Sequence, residues 1–406
     1  MSRRMRSRSA RSLSSFKLAT EAVACNFLAL YLLAEGAALA VPRSHNLIWA
    51  GGRYKNPVYG QHFLDVIDIL CAAGFAAHLS KGFRVSAKIK SDTAIISTDR
   101  LADALSFSRF GIGAIWRVEE PEVLVLKDKK AADGDAALID YRETSTTRRL
   151  RAQVRRLNRW LASGGITLAR EDTGLEIGGA GELIAPFKLS ARRIFNNGSW
   201  QQGGRLAGPF FLTMEKAARF QLMRIDSERI AVADYGQLFP RLAYARAQCT
   251  QTEDDLYDIS LDGSCRRGWK TLLSALLFAQ GQLGNWPDDT RQHFPAGTKL
   301  KDAIARIHER HHKIAHLFGI GLGYSLMKIE SDLIIAVTSH LFRIGVTACP
   351  IHDAIICARS KVDVVRQAMQ QQFEKLTGSA RAIVEVDFGD KYQQLGSQSL
   401  SFHRST

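Results

Sequence analysis

The chain has 406 residues, of which 46% are hydrophobic and 23% are charged, a composition typical of a folded globular protein and not of a disordered or fibrous one. It carries 55 basic and 40 acidic residues, a formal charge of +15 that favours an anionic partner such as nucleic acid. The six cysteines are scattered and form no Cys-x-x-Cys pair, which excludes a zinc ribbon and a disulfide scaffold and favours a reducing compartment. These features predict a cytoplasmic protein associated with the nucleoid.

The N-terminal segment predicts a basic arm followed by a helix. Residues 1–16 are rich in Arg and Ser, contain no acidic residue and indicate a disordered arm that contacts phosphates. Residues 17–40 carry apolar side chains at helical spacing. The apolar run inside them is bracketed by Glu21 and Glu35 and is too short to cross a bilayer, so we expect a helix packed on a core and no membrane contact.

Residues 17–140 predict a small α+β module. A helix is expected at 63–73, followed by two short strands at 76–79 and 83–89 that are joined by a basic turn, and then by a helical segment at 98–105. This order of helix, hairpin and helix is typical of a winged helix-turn-helix that binds DNA. It is equally typical of other small α+β modules, and the sequence leaves both interpretations open.

Residues 141–190 predict a basic helical region. The pattern from Ser145 to Ala162 indicates one long helix with an apolar stripe. Six arginines lie along this helix: Arg148, Arg149, Arg151, Arg155, Arg156 and Arg159. Because these charges have one sign and do not alternate with Glu, we favour contact with a phosphate backbone over a merely solvated face. We select Arg148, Arg151 and Arg155 as candidate nucleic-acid ligands.

Residues 192–208 combine Gly, Asn and Arg with two aromatic side chains. This composition predicts a loop that lets the backbone and cations approach a nucleic-acid strand closely. Arg193, Asn196 and Arg205 are its candidate ligands. A structural glycine-rich turn is the alternative.

Two apolar runs end in carboxylates. Residues 229–234 predict a strand that ends at Asp234, and residues 346–358 predict a second apolar run with His352 and Asp353 at a hairpin tip. Mg²⁺ in proteins is bound by one or two carboxylates, with substrate phosphates and water completing its ligands. Two strand-end aspartates are therefore suited to two-metal phosphoryl transfer.

Between these runs, residues 265–279 predict an amphipathic helix. Arg266 and Lys270 are four residues apart and share one face of this helix. Phe278 lies eight residues beyond Lys270, near the same face. Two cations and an aromatic ring on one face are suited to binding a triphosphate and stacking on its base.

In this order and spacing, the segments resemble the palm and fingers of family A DNA polymerases, the DNA polymerase I type. Residues 234–241 (DYGQLFPR) are similar to the family's first motif, residues 266–270 (RRGWK) to the start of its nucleotide-binding helix, and residues 352–353 to its last motif. Three further segments stand in the family's order: helices at 327–337 and 362–376, and a strand at 381–386. The resemblance covers about residues 190–390.

The resemblance implies an α+β fold, with a right-hand palm built on an antiparallel sheet and helical fingers in residues 191–406. A thumb-like region at 141–190 and the possible winged-helix module precede them. It also implies a nucleotidyltransferase that lacks a proofreading exonuclease, acts in DNA replication or repair, and has a DNA primer-template and dNTPs as partners. Its cofactor would be two Mg²⁺ ions, for which Mn²⁺ can substitute.

The resemblance further assigns roles to single residues. The metal ligands would be Asp234, Tyr235 and Asp353, and the catalytic residues would be Asp234, Asp353 and Lys270. The nucleotide-binding residues would be Arg266, Lys270, Phe278, Phe239 and Gln237. Arg241 and His352 would join the candidate nucleic-acid ligands.

The sequence departs from the family at two acidic positions. Phe239 stands where the first motif usually has an acid, and Ala354 replaces the third acid of the last motif. Both changes fall near the sugar and the primer terminus. A neutral ring at Phe239 predicts a preference for deoxyribonucleotides, because a buried 2′-hydroxyl would have no hydrogen-bond partner there.

Two other functions remain open. An RNA polymerase or primase of the same palm type would use a similar Arg-x-x-x-Lys helix. A non-catalytic DNA-binding protein, such as a replication initiator, would use only the basic N-terminal parts. The intact pair of aspartates argues against the second, because an inactive site has no need to keep two like charges close together.

Overall fold

The computed structural model describes residues 9–33, 37–44, 48–49, 52–84, 90–107, 110, 115, 122–130, 136–169, 184–250, 255–378 and 382–393. The chain divides into two compact units. The first comprises residues 1–125, 130–142 and 170–188, and the second comprises residues 126–129, 143–169 and 189–406. The sequence segment 141–190 is therefore divided between the two units.

The first unit contains three helices and five short strands among its described residues. The helices are α1 (Ala10–Leu33), α2 (Gln61–Ala72) and α3 (Asp99–Ser106). The strands are β1 (Leu39–Val41), β2 (Ala76–Ser80), β3 (Phe83–Arg84), β4 (Lys90–Ser91) and β5 (Thr93–Ser97). Both predicted helices and the starts of both predicted strands are present, and residues 85–89 of the second strand lie outside the described residues. The predicted hairpin of these two strands is wrong: β2 pairs with β5, and β3 pairs with β4.

The prediction of a disordered arm at residues 1–16 needs correction. Residues 1–8 lie outside the described residues, but residues 10–16 belong to α1. The Ser9 hydroxyl accepts a hydrogen bond from the Ser12 amide at 3.3 Å, which satisfies one of the unpaired amides of the first helical turn. The helix therefore starts within the segment that composition alone assigned to the arm.

The sheet of the first unit has the strand order β1–β5–β2, with antiparallel neighbours. The short hairpin β3–β4 is inserted between β2 and β5. Val23 and Phe27 of α1, Ile67 of α2 and Ile95 of β5 are buried together in the core. The structure thus places helices on a small antiparallel sheet, and the winged-helix function of this unit stays a prediction.

The second unit is built on a larger antiparallel sheet. Its strands are β7 (Ile166–Leu168), β10 (Met223–Ile225), β11 (Glu228–Gly236), β12 (Ala348–Ile351), β13 (Ala354–Ala358) and β14 (Ile383–Asp387). β8 (Arg192–Phe195) and β9 (Gly203–Ala207) form a separate hairpin, and β6 (Leu124–Leu126) lies where the chain passes between the units.

The described helices of this unit pack around the sheet. They are α4 (Ser145–Ser163), α5 (Lys216–Leu222), α6 (Leu238–Arg246), α7 (Arg266–Phe278), α8 (Leu300–Arg310), α9 (Gly323–Arg343), α10 (Val362–Thr377) and α11 (Asp390–Gln393). The mixed α+β architecture with antiparallel sheets agrees with the predicted fold class. The assignment of its parts to palm, fingers and thumb stays a prediction.

Strand β11 is the centre of the sheet. It pairs with β13 along one edge and with β10 and then β14 along the other. Ala233 and Tyr235 are buried in the core, whereas Asp234 between them is exposed. Successive side chains of a strand point to opposite faces, so the core packing of Ala233 and Tyr235 directs the Asp234 carboxylate away from the core.

Residues 192–208 form a β-hairpin, and the prediction of a loop there is wrong. The strands β8 and β9 pair in antiparallel register from Arg192 opposite Ala207. Asn197 (φ 55°) and Gly198 (φ 63°) adopt the left-handed backbone that a tight hairpin turn requires. This Asn-Gly pair was the sequence signal for a hairpin.

Within the part of the chain that the structure describes, no helix combines the length and the apolar character needed to cross a membrane.

Candidate active site

One cleft in the second unit brings together most of the side chains predicted to act in catalysis or nucleotide binding. It has a volume of about 270 Å³. Among the residues that line it are Asp234, Tyr235, Gln237, Phe239, Arg266, Lys270 and Asp353. These residues come from three regions that are far apart in the sequence: β11 with the start of α6, then α7, and the tip of the β12–β13 hairpin.

The two predicted metal-binding aspartates lie next to each other across the sheet. Asp234 is directly opposite Ala354 in the β11–β13 register, so Asp353 is one residue from this pair. The Tyr235 amide donates a hydrogen bond to the Asp353 carbonyl oxygen at 3.2 Å. This bond fixes the hairpin tip against the end of β11 and keeps both aspartates at one side of the cleft.

The surroundings of Asp234 disfavour its charge. Desolvation is the main cause, followed by the negative charges of Asp353 and Glu385, and together they raise the pKa of Asp234 to about 7. The charges of Lys216 and Lys270 act in the opposite direction but are weaker. Burial and two neighbouring carboxylates therefore disfavour the negative charge of Asp234, and a bound divalent cation would offset both effects.

Both cations of α7, Arg266 and Lys270, lie near the ring of Tyr257. The Arg266 guanidinium carbon lies 5.6 Å, and the Lys270 Nζ lies 5.7 Å, from the centre of the Tyr257 ring. Tyr257 is buried, so its ring is a fixed platform under both cations. Sequence reasoning did not select Tyr257, because it lies outside every motif and its proximity to α7 depends on the tertiary fold.

Arg266 has an acidic partner that sequence reasoning also missed. Its Nε donates to Asp255 Oδ2 at 2.5 Å and its Nη2 donates to Asp255 Oδ1 at 3.3 Å. Burial acts to raise the pKa of Asp255, but the bonds from Arg266 and from the Tyr257 amide outweigh it, so this pKa is lowered. Asp255 thus fixes the orientation of the Arg266 guanidinium above the Tyr257 ring.

Phe239, which lines the cleft, contacts Phe278 of α7. Their ring centres are 5.7 Å apart, and Phe278 also makes an edge contact with Tyr324 at 5.4 Å. Gly323 permits this packing, because a Cβ atom there would lie 2.4 Å from the Phe278 ring. The two predicted nucleotide-binding rings are therefore in contact, while the sugar role of Phe239 and the base stacking of Phe278 stay predictions.

Arg205 also reaches the cleft, held by an acid on α9. Its Nε and Nη2 donate to the two carboxylate oxygens of Glu330 at 2.8 and 2.9 Å. Its guanidinium carbon lies 5.8 Å from the centre of the Phe239 ring. Glu330 is only 1% exposed, and burial raises its pKa despite the ion pair with Arg205. Three residues of the hairpin were proposed to contact nucleic acid: Arg193, Asn196 and Arg205. Of these, Arg205 lines the cleft.

His352 occupies the tip of the β12–β13 hairpin with a left-handed backbone (φ 53°) and an exposed side chain. Desolvation, followed by the charge of Arg205, lowers the pKa of His352. The neutral imidazole is therefore favoured at neutral pH, and it can accept as well as donate a hydrogen bond.

Three arginines predicted to contact nucleic acid are buried, which corrects their assignment. Arg193 is fully buried and donates to Asp332 Oδ1 at 2.6 Å. Arg151 is 8% exposed and donates to Glu143 at 2.6 Å, and Arg241 is 3% exposed and donates to the Gly236 carbonyl oxygen at 3.2 Å. Their charges are used inside the protein, so these residues maintain the fold and do not form a nucleic-acid surface.

The other two arginines selected on α4 are exposed, and their contact with nucleic acid stays a prediction. Arg148 and Arg155 are exposed, as are Arg149, Arg156 and Arg159. Asn196, the remaining candidate, is half-buried, and its amide donates to the Gln202 carbonyl oxygen at 3.0 Å inside the hairpin turn. One face of α4 therefore remains available for phosphates, while the side-chain role of Asn196 stays a prediction.

Tyr235 and Gln237 line the cleft but have structural partners. The Tyr235 hydroxyl donates to the Met369 carbonyl oxygen at 2.6 Å inside the core, so its phenol oxygen is not a metal ligand and only its backbone can serve. The Gln237 side-chain oxygen accepts a bond from the Leu256 amide at 2.7 Å. Gln237 thereby attaches the start of α6 to the segment that carries Asp255 and Tyr257.

The donor set of the cleft fits hydrated Mg²⁺. Asp234 and Asp353 offer two hard carboxylates, the number that Mg²⁺ commonly takes from a protein at phosphoryl-transfer sites. Within the described ranges, no three side chains of His, Cys, Asp or Glu are grouped closely enough to form a metal site from protein ligands alone. The remaining ligands would therefore come from water and from substrate phosphates.

No family model matches the chain, and no curated protein matches it significantly. Among solved structures, the fold overlaps with the polymerase domain of Pol1 from M. smegmatis in complex with a DNA primer-template and dNTP. The overlap has a TM-score of 0.34 and a sequence identity of 13%, and covers 59% of this chain and 50% of that chain. The likeness is weak and concerns the fold alone.

Proposed function

We propose that this chain is a template-directed DNA polymerase, a nucleotidyltransferase that adds dNTPs to a primer 3′ end without proofreading. The observation that carries the proposal is the cleft itself, in which the Asp234 and Asp353 carboxylates face the cationic side of α7. A phosphoryl-transfer site needs carboxylates that bind metal ions and, next to them, cations that bind the triphosphate. In this proposal β11 and the β12–β13 hairpin form the palm, α7 belongs to the fingers, and α4 holds the template like a thumb.

Asp234 and Asp353 would hold two Mg²⁺ ions, which when bound activate the primer 3′-hydroxyl and neutralise charge on the departing pyrophosphate. Arg266, oriented by Asp255, binds phosphate oxygens of the incoming nucleotide. Lys270 binds the same triphosphate and gives a proton to the leaving group, a role that its exposed ammonium group at the cleft permits. Arg205, held by Glu330 beside Phe239, contacts the primer end.

The proposal is tested by primer extension on DNA and RNA templates, with dNTPs or rNTPs and with Mg²⁺ or Mn²⁺. We expect dNTP addition to a DNA primer on a DNA template. Extension with rNTPs alone, or synthesis without a primer, would support the RNA polymerase or primase instead. DNA binding with no incorporation under any of these conditions would support the non-catalytic initiator and contradict the proposal.

The neutral rings of Phe239 and Phe278 predict the sugar preference. A ribose placed against Phe239 buries a 2′-hydroxyl without a partner, which costs about 1–3 kcal/mol, roughly 5- to 150-fold in selectivity. Phe239→Ala should therefore reduce the preference for dNTPs over rNTPs by about that factor while keeping much of the dNTP activity. The measurement is the ratio of kcat/KM for dATP and ATP opposite the same template base.

Phe342→Ala is the matched control for this experiment. Phe342 is half-buried in the same unit, where it stacks on Trp160 at 5.1 Å and does not line the cleft. Its removal should leave the selectivity ratio unchanged. A wild-type protein that uses rNTPs as readily as dNTPs would exclude Phe239 as the sugar gate.

The exposed arginines of α4 predict a salt dependence of DNA binding. Replacing Arg148 and Arg155 together by Ala should reduce the slope of log affinity against log salt by about 0.9 for each lost phosphate contact. Fluorescence anisotropy with a DNA duplex at several salt concentrations measures this slope. Arg366→Ala removes a half-exposed arginine from α10 and should leave the slope unchanged. Equal slopes for all variants would mean that the α4 arginines are only solvated surface.

A further inference from the structure

Besides Asp234, Asp353 and the Arg205-bound Glu330, the cleft contains a carboxylate that no sequence motif indicated. Glu385 lies on β14, is exposed and lines the cleft. It stands directly opposite Asp234 in the antiparallel register of β11 and β14. Directly opposed residues of neighbouring strands project on the same face of a sheet, so Glu385 and Asp234 face the cleft together.

The other neighbour of Asp234 in the same row is Ala354 on β13. The row across the three strands is therefore Ala354, Asp234, Glu385. Ala354 is the position at which the family resemblance leads us to expect an acid. On β13, the position opposite Asp234 has an alanine in place of the expected acid. On β14, the position opposite Asp234 has the carboxylate of Glu385.

Gly236 provides the space that Glu385 occupies. A Cβ atom at Gly236 would lie 3.2 Å from Glu385 Oε1 and 3.1 Å from Ile383 Cγ2, both closer than ordinary van der Waals contact. The glutamate oxygen therefore rests against the backbone two residues after Asp234. A side chain at position 236 would push the carboxylate aside.

Resting on the proposed function, we infer that Glu385 is the third acid of the metal site and acts on hydrated Mg²⁺ through its water ligands. Glu385, Asp234 and Asp353 do not form a metal site of three protein ligands, whereas Mg²⁺ usually keeps several waters. A carboxylate placed beyond the direct ligands orients such waters, and its loss typically weakens metal binding or activity by about 10- to 100-fold. Glu385 thereby takes over the charge that Ala354 lacks.

The test measures metal affinity without catalysis. The 406-residue chain is assembled with a DNA duplex whose primer ends in a dideoxynucleotide and with the next dNTP, and free Mn²⁺ is followed by electron paramagnetic resonance during titration. Glu385→Gln should weaken Mn²⁺ binding by about 10- to 100-fold. Glu374→Gln, the same change at an exposed position on α10 that does not line the cleft, should leave it unchanged.

Asp353→Asn separates failure of this inference from failure of the proposed function. If Asp353→Asn weakens Mn²⁺ binding and Glu385→Gln does not, Glu385 is not part of the metal site and the proposed function stands. If Glu385→Gln changes only the dNTP affinity, the inference is likewise overturned. Glu385 would then act on the dNTP through its electrostatic interaction with Arg266. If the wild-type complex binds no more Mn²⁺ than Asp353→Asn does, the proposed function itself fails.

Discussion

Replacing Asp353 by Asn is expected to reduce primer extension by roughly 10³-fold or more. The substitution keeps the shape of the side chain and removes the charge that would bind a metal ion. Metal ions contribute several kcal/mol of transition-state stabilisation, and each 1.4 kcal/mol corresponds to about a tenfold rate. Single-turnover extension at saturating dNTP measures the loss. The affinity for duplex DNA should change little, because phosphate contacts dominate it.

Asp363→Asn is the matched control for this variant. Asp363 lies on α10, where it pairs with Arg366 at 2.9 Å and is 80% exposed outside the cleft. Extension by this control should equal that of the wild type. Wild-type extension by Asp353→Asn as well would remove the aspartate from the metal site and leave the cleft without a catalytic assignment.

Lys270→Ala is expected to reduce the maximal rate of extension by about 10²- to 10⁴-fold, the range typical for the loss of a general acid. The effect should fall on kcat more than on DNA affinity, because the ammonium group acts on charge that develops at the leaving group. Rapid-quench kinetics with a saturating primer-template gives kcat, and anisotropy gives the DNA affinity. Lys301→Ala, at an exposed position on α8, controls for the loss of one positive charge.

A different pattern would change the role of Lys270. An unchanged rate together with weaker DNA binding would make it a backbone contact of the template. A rate loss that a dNTP with a better leaving group restores would support proton transfer specifically, because protonation matters less when the leaving group is already stable.

The sequence predicted the candidate site best where a residue's position depends on the pattern of one strand or helix. The apolar run before Asp234 predicted both a strand and a carboxylate at its end, and the four-residue spacing of Arg266 and Lys270 predicted a shared helical face. The structure places all three at one cleft. Local periodicity is enough for such features, because each depends on a single strand or helix.

Features that depend on neighbouring elements could not be predicted in this way. Glu385 faces Asp234 only because β14 pairs with β11, and Tyr257 supports Arg266 only through a contact of the tertiary fold. No local pattern contains the register between strands that are distant in the sequence. A complete assignment of the cleft therefore required the sheet topology.

Two of the buried arginines carry local signals of their burial. Arg151 follows Leu150 and precedes Val154 by three residues, so helical spacing already places it beside the apolar stripe of α4, which is buried. In the strand β8, Arg193 and Phe195 are two residues apart and both are buried. Once that segment is recognised as a strand, alternation puts the arginine on the inner face with the phenylalanine.

Two arginines of the hairpin β8–β9, Arg193 and Arg205, bind side chains of α9. Inside, Arg193 donates to Ser331 at 3.1 Å and to Asp332 at 2.6 Å; at the cleft, Arg205 is held by Glu330. All three partners are consecutive on one turn of the helix. Because the three partners share one turn of α9, a substitution of Arg193 that disturbs this turn would also disturb the position of Arg205 at the cleft.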